Sequence, residues 1–377
     1  MKDKFKQKEK AAVEKRHWVR LTRCCNNHCI FCLDSENQNG TYLSFDRIEE
    51  NLKKGRKEKI KRIILSGGDP TVHPNFLTIV KKAKNLGYNH IQIVTNGRMF
   101  AYKDFLEKAI IAGVDEITFS IHGHNKNLYE KQSQVKGSFE QALQGLLNAS
   151  NCPNLIVNID IVINKLNYKY LAEIIKFYIN LGISEFDLLQ VMPFGRAWKN
   201  KDKVFYDIKK ALPYFKKAFL FSKNPDFYIW TNRFPPQFLE GFEDLIQHPI
   251  KIFDEVKGRN IMFKRFLEED EIMSCYGMRC QYCFLKNFCR DLVKFQKEKI
   301  LKSRTIPDCL KHLKVKPSSK QLKYPADIYQ FSDFYINHRY FVKSLRCNDC
   351  KLNQSCQGMH INYIRKFGFK KLNPIKK

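Results

Sequence analysis

Cys25, Cys29 and Cys32 follow one another in the spacing Cys-x3-Cys-x2-Cys, directly after the β-like run Trp18-Val19-Arg20-Leu21-Thr22. Thiolates are soft ligands that suit iron–sulfur clusters. Three of them this close can wrap one four-iron cube and leave one iron without a protein ligand. An open coordination position is a place for chemistry rather than for structure alone. On the triplet by itself two other readings stand, a zinc knuckle and a redox CxxC pair.

Thiols recur downstream. Cys275-x4-Cys280-x2-Cys283-x5-Cys289 supplies four, and Cys347-x2-Cys350-x5-Cys356 repeats the CxxC-x5-C spacing. Either Cys309 or His360 completes the second set. Four thiolates suit zinc as well as iron and sulfide, so both metals stay open for these sets. With Cys309 counted, the three sets use all but Cys24 and Cys152 of the 13 cysteines. Strand alternation turns Cys24 away from Cys25 into the core, and Cys152 reads as a free thiol in a polar loop. The sequence shows no export signal, so tight cysteine clusters point to metal rather than to a disulfide framework.

The elements that must position these residues alternate. Strand patterns at 60–66, 90–95, 116–121, 155–163 and 186–192 follow the cysteine-bearing strand. Between them lie helical stripes such as Phe76, Ile79, Val80 and Ala83. Strict alternation makes a parallel sheet with right-handed crossovers. No GxGxxG follows the first strand, which disfavours dinucleotide binding. The expected fold is α/β, an open partial (β/α)6 TIM barrel over 17–200. A basic arm (1–16) precedes it, and a linker or helical extension (201–270) follows. A Cys-rich, mainly helical or irregular domain (271–377) ends the chain. In that tail 326–345 reads as an aromatic-rich helix, while 204–220, 238–246 and 252–267 are expected helices and 227–230 a short strand. Active sites of barrels sit at the carboxyl ends of the strands, and polar or Gly-rich segments fall there. They are Gly67-Gly68-Asp69-Pro70-Thr71, Thr95-Asn96-Gly97-Arg98, Ser120-Ile121-His122-Gly123, Ile163-Asn164 and Met192-Pro193-Phe194-Gly195-Arg196.

The cysteine loop resembles that of the radical SAM (S-adenosylmethionine) enzymes, in which SAM chelates the unique iron of a [4Fe-4S] cluster. The resemblance covers 17–196 and, more loosely, 275–360. It puts Phe31 where the family has an aromatic residue near the adenine. Gly67-Gly68-Asp69-Pro70 resembles the GGEP-type segment, with Asp for the usual Glu. Two glycines let backbone approach a ligand, whose ammonium the carbonyls can accept. Ser120 resembles the family's ribose-contacting serine, and Asn164, Lys131 and Gln134 lie where relatives hold the SAM carboxylate or ribose. His28 and His122 are candidates for acid–base steps or, more blandly, loop histidines beside a cofactor; no catalytic residue is assigned. The metal ligands implied are Cys25, Cys29 and Cys32, then Cys275, Cys280, Cys283 and Cys289, then Cys309, Cys347, Cys350 and Cys356.

The tail is similar to the auxiliary-cluster domains called SPASM or twitch. It departs from them where position 360 is His instead of Cys. By resemblance, the enzyme takes an electron from a flavodoxin- or ferredoxin-like reductant and cleaves SAM to a 5′-deoxyadenosyl radical. That radical abstracts hydrogen from a substrate, a peptide or protein by analogy with peptide maturases. A net charge of +29 motivates the alternative of RNA or a nucleotide. A third reading, from another class, is a non-catalytic iron–sulfur or zinc-binding protein. No apolar run approaches the ~18–20 residues that span a bilayer, and the sequence-based expectation is a cytoplasmic protein.

Overall fold

The computed structural model describes residues 9–310 and 319–375; residues 1–8 of the expected basic arm lie outside this range. Two compact units divide the chain, one of Glu14–Asn232 and one of Arg233–Lys377 with the N-terminal residues through Val13. The stretch 201–270, expected as a linker, is therefore shared between them.

In the first unit seven strands form one parallel sheet whose spatial order is the sequence order. They are β1 (Arg16–Thr22), β2 (Arg62–Gly67), β3 (His90–Thr95), β4 (Glu116–Ser120), β5 (Ile156–Ile163), β6 (Glu185–Gln190) and β7 (Tyr228–Asn232). The partial barrel therefore has one more strand than the six units expected. β7 pairs with β6 from Glu185↔Tyr228 to Leu189↔Asn232. Its five residues follow a helix (Ile208–Phe219), so it is one more strand–helix–strand step.

Alternation sorts each strand's side chains onto two faces. Val19, Leu21, Ile63, Leu65, Ile91, Ile93, Ile117, Phe119, Ile159, Ile161, Phe186, Leu188 and Ile229 are buried, on the face that the crossover helices cover. The other face is polar. At its amino-terminal end Glu116 accepts from Arg62 Nη2 (2.6 Å), His90 Nε2 (2.7 Å) and Asn158 Nδ2 (2.9 Å). A buried carboxylate is tolerable only when paired in this way. Burial raises the Glu116 pKa, but His90 and Arg62 outweigh it and hold the carboxyl below its usual range.

Several helices have no counterpart in the sequence-based expectation, and one of them bears on the site. Lys126–Ser133 follows β4, ahead of the expected helix at Ser138–Ser150. Asn125 caps it, its Oδ1 accepting from Leu128 N–H at 2.9 Å.

In the second unit the helix expected over 252–267 is two, Ile252–Lys257 and Asn260–Glu268, parted at Gly258 and Arg259. The 238–246 stretch is not helical but forms two 3-10 turns, Pro236–Leu239 and Glu243–Leu245. Between them Glu240 accepts from Ser344 Oγ (2.8 Å) and Arg346 Nε (2.9 Å), bonds that a helix on propensity alone does not foresee. The aromatic helix is Ile328–His338, and its Phe331 and Tyr335 join Phe263, Phe288 and Phe295 in the core. Asp291 bridges Arg304 (2.9 Å) and Arg339 (2.8 Å) within this unit. Residues 9–13 are helical, and Glu9 pairs with Arg365. Among the described residues no helix is long and apolar enough to cross a membrane.

Candidate active site

Beyond Thr22 the chain enters the loop of Cys25, Cys29 and Cys32, and four neighbouring segments hold its peptide groups. After β2, Gly68 N–H donates to Thr22 O and Asp69 N–H to Cys24 O, both at 2.9 Å. A Cβ on Gly68 would lie 2.1 Å from Cys24 O, so only glycine permits this approach. Gly67, beside it, closes against Thr22 in the same way. The two glycines therefore press the end of β2 onto the cysteine loop.

The Lys126–Ser133 helix offers the carbonyls of Gln132 and Ser133 to Ile30 N–H and His28 N–H, each at 2.9 Å, on either side of Cys29. After β3, Asn96 Nδ2 donates to Asn26 Oδ1 (2.6 Å). The Arg98 guanidinium donates to Asn26 O and to Asn27 Oδ1 (3.0 Å). After β6, Arg196 N–H donates to Cys32 O (3.0 Å) and its side chain to Cys29 O (3.3 Å). Gly195 has φ +55°, and a Cβ there would meet Cys32 O at 2.5 Å. Asn200 Nδ2 completes the hold on Ile30 O at 3.1 Å.

The three thiols lie within electrostatic reach of one another inside this frame. Cys29 feels the charge of both Cys25 and Cys32. Burial, with Asp69 adding, pushes the Cys25 thiol up to about 12. Burial and the neighbouring sulfurs push Cys29 up further. Burial also raises Cys32, with Arg196 among the groups that partly offset it. Asn27 N–H donates to Cys25 Sγ and Gln38 Nε2 to Cys32 Sγ, both at 3.4 Å. Cys24 lies against the Tyr42 hydroxyl. Among the described residues no three His, Cys, Asp or Glu side chains form a group able to hold a metal ion. Chemically, three half-buried soft donors that resist becoming bare thiolates fit a cationic iron–sulfur centre, because bound metal deprotonates a coordinating thiol.

The expected cofactor residues fare differently. Asp69 is 1% exposed. Its carboxylate accepts from Thr71 N–H (3.0 Å), Thr71 Oγ1 (2.5 Å), Thr95 Oγ1 (2.7 Å) and Asn96 N–H (2.8 Å). It clasps the β2 loop to the β3 loop. Asn164 is fully buried; its amide donates to Gln132 Oε1 (2.6 Å) and its Oδ1 accepts from Leu166 N–H (3.0 Å). Phe31 is buried edge-on against His122, with ring centroids 4.7 Å apart. His122 Nδ1 accepts from Val162 N–H, and burial drives its pKa down to about 3, so the ring is a neutral acceptor. His28 is exposed. Gln134 turns back to Lys131 O at 2.7 Å. Ser120 stays half-buried at the end of β4.

Ser120, Asp160, Asp187 and Trp230 form one rung across β4, β5, β6 and β7, each the register partner of the next. Asn232 donates to Asp187, and Tyr228 packs on Trp230 at 5.0 Å. Asp160 and Asp187 are half-buried, and like charges directly opposite on neighbouring strands repel.

In the other unit Cys289 feels Cys283, Cys275 and Cys280. Burial pushes Cys283 up to about 11, and the Arg259 guanidinium opposes the rise at Cys275, Cys283 and Cys289. Cys309 lies within electrostatic reach of Cys347, Cys350 and Cys356. His360 has both ring nitrogens engaged, Nε2 with Ile336 O (2.9 Å) and Nδ1 with Asn362 N–H (3.3 Å).

Sequence reasoning named the rim segments but missed the work of Asn96, Arg98, Gln132, Arg196 and Asn200. For the Lys126–Ser133 helix the available signal was Asn125 as a cap three residues before Leu128.

Residues 19–178 match the family model described as "Radical SAM superfamily". A curated relative named "Probable GTP 3',8-cyclase", from Saccharolobus solfataricus, is 30% identical over 203 residues. That match covers 53% of this chain and 64% of the relative, so the chain spans less than two thirds of its length. Among solved structures, Streptococcus suis SuiB bound to precursor peptide SuiA gives a TM-score of 0.48 at 16% identity, over 99% of this chain and 77% of that one. Native anSMEcpe with bound AdoMet and Kp18Cys peptide gives 0.48 at 13% identity, over 95% and 97%.

Proposed function

Starting from residues 19–178 as a radical SAM domain, we propose that the chain is a radical SAM enzyme acting on a peptide or protein. The observation that carries this reading is a loop braced on four sides that keeps Cys25, Cys29 and Cys32 within electrostatic reach of one another. These residues would hold a [4Fe-4S] cluster with one iron open to SAM. Together the two groups supply hydrogen abstraction after one-electron reduction, chemistry that belongs to the cofactor.

The chain's own residues supply the setting. Asn96, Arg98, Gln132, Arg196 and Asn200 fix the loop. Phe31, Ile30 and Val191, all buried, keep water from its inner side. Ser120 stands half-buried on the polar face of the sheet, at the end of β4. In the second unit Cys275, Cys280, Cys283 and Cys289 would hold one auxiliary cluster. Cys309, Cys347, Cys350 and Cys356 would hold another, and a small reductase protein would supply the electron.

The Asp160–Asp187 rung supports this substrate class. Two neighbouring carboxylates suit N–H donors and cationic side chains and oppose a triphosphate. Arg20 of β1 and Arg62 of β2 are already committed, to Asp34 and to Glu116. A second reading, a nucleotide or RNA substrate, is favoured by the relative's name and by the net charge of +29.

Anaerobic reconstitution tests both. Iron is counted per chain, and 5′-deoxyadenosine is measured after reduction with SAM, alone, with basic peptides and with GTP. Peptide-dependent turnover supports the first reading, and GTP-dependent turnover replaces it with the second. No 5′-deoxyadenosine under any condition removes the enzyme reading.

A further inference from the structure

Gln38 lies six residues beyond Cys32, and its side chain returns to it. The 3-10 turn Ser35–Asn37 reverses the chain, and Gln38 N–H donates to Ser35 O at 3.2 Å. From there the side-chain amide bridges two groups of the cysteine loop and its frame. Gln38 Oε1 accepts from Arg196 Nη2 at 2.8 Å, and Gln38 Nε2 donates to Cys32 Sγ at 3.4 Å. The longer bond is the one to sulfur, whose radius exceeds that of oxygen.

Which end of an amide faces which neighbour follows from what those neighbours can do. A guanidinium only donates, so Arg196 claims the amide oxygen. The NH2 group is left for the sulfur, which can only accept once it is a thiolate. Arg196 is itself pinned. Its N–H donates to Ser35 Oγ (2.7 Å) and to Cys32 O (3.0 Å), and its Nη1 to Cys29 O (3.3 Å). The residue that holds the loop therefore also sets the direction of the amide. Arg196 reaches the loop's peptide groups without Gln38, so bracing does not account for the glutamine. What Gln38 adds is an N–H aimed at a thiol.

Cys25 is served differently. Its sulfur accepts from a backbone group, Asn27 N–H at 3.4 Å. Asn96 Nδ2 is 3.9 Å from that sulfur, and its amide is turned to Asn26 Oδ1 at 2.6 Å.

We propose that the Gln38 amide donates a hydrogen bond to the Cys32 sulfur when that sulfur is a cluster thiolate, and so raises the cluster's reduction potential. The inference rests on reading Cys25, Cys29 and Cys32 as cluster ligands. A hydrogen bond to a ligand sulfur favours the reduced, more negative cluster, and outer partners of this kind tune such centres. The electron still comes from the external reductant, and Gln38 sets how strong that reductant must be. It is a positioning and tuning residue that touches no substrate.

The test is a redox titration of the full chain, reconstituted without oxygen and followed by electron paramagnetic resonance. The open cluster is recognised as the signal that changes when SAM is added. Q38M keeps the length of the side chain, stays neutral and removes the N–H. S35A removes one hold on Arg196 from the same turn and keeps the amide. Q38M is expected to lower the midpoint of that signal at unchanged iron content, and S35A to leave it in place. An unchanged or raised midpoint in Q38M overturns the proposal, as does an equal fall in S35A. Should Q38M fail to hold the cluster, the parent chain is made with glutamine carrying nitrogen-15 in its side-chain amide. Pulsed resonance of its reduced open cluster, without SAM, is then expected to show coupling to that nitrogen. No coupling overturns the proposal too. If the parent protein shows no SAM-sensitive signal, the cluster reading itself falls.

Discussion

The cysteine loop after β1 and the cysteine sets of the second unit gather their thiols by different means. The loop is short, and its shape is imposed from outside: β2, β3, β6 and the Lys126–Ser133 helix each bond to its peptides. The first C-terminal set is built into a core. Cys289 sits on the Lys286–Glu298 helix, buried with Phe288, Leu292 and Phe295, and Cys275 and Cys283 pack against the same cluster. The second set repeats the first set's spacing but not its setting. The Arg259 guanidinium acts on three thiols of the first set, whereas the groups that shift Cys347 and Cys309 in the second include no cation. Equal spacing therefore does not mean equal electrostatics. A site braced by its surroundings also responds to distant substitutions that leave a locally built site untouched.

The largest expected effect separates the two regions outright. C29A should abolish 5′-deoxyadenosine formation and remove about four irons per chain. C283A should remove a similar amount of iron and leave SAM cleavage measurable. Loss of SAM cleavage in both variants would break the division of labour.

Next comes the bracing. R98M removes the guanidinium that holds Asn26 and Asn27. Loss of an outer partner typically costs ~10–100-fold in metal affinity or activity. The expected outcome is that much weaker retention of the SAM-sensitive cluster under chelator challenge, with the auxiliary iron unchanged. R259Q should do the reverse, disturbing the first auxiliary set alone.

Acid should distinguish the units as well. His122 is held neutral, with its pKa lowered to about 3 from an ordinary 6.5. The unfolded chain thus binds the proton more readily between those values. The stability that His122 contributes is complete above pH 6.5 and drains away as pH falls toward about 3. The slope is about 1.4 kcal/mol per pH unit within that window. Urea midpoints measured from pH 7 to 4 should fall less steeply in H122Q than in the parent. Equal slopes would assign the acid sensitivity elsewhere.

The smallest effect concerns the second set. H360A removes a bond to Ile336 O and should cost about 1 kcal/mol without changing the iron count. C309A should lower that count. A loss of iron in H360A would reinstate the histidine as a ligand.

Much of the frame was legible from residues alone. Each strand announced itself by alternation or an apolar run, and the rim motifs fell at carboxyl ends because a parallel sheet leaves its loops there. The seventh strand was recognised as a short strand but not as part of the sheet. Its partner lies some forty residues back across the Ile208–Phe219 helix, and pairing is not a local property. Asp69 and Asn164 show where residue type stops informing. A polar side chain on the rim can face a ligand or a neighbouring loop, and both are equally polar. Only the packed structure reveals that Asp69 accepts four bonds from Thr71, Thr95 and Asn96.

By itself the sequence determined that Cys25, Cys29 and Cys32 share one turn of chain, since their separation allows little else, and that strands and helices alternate behind them. Tertiary structure decided which groups grip that turn, that Cys309 lies within electrostatic reach of the last thiols, and that His360 is bonded to Ile336 and Asn362. The physical reason is range. Spacing and periodicity act over a few residues, whereas hydrogen-bond partners and burial are set by segments far apart in the chain that meet only once it has folded.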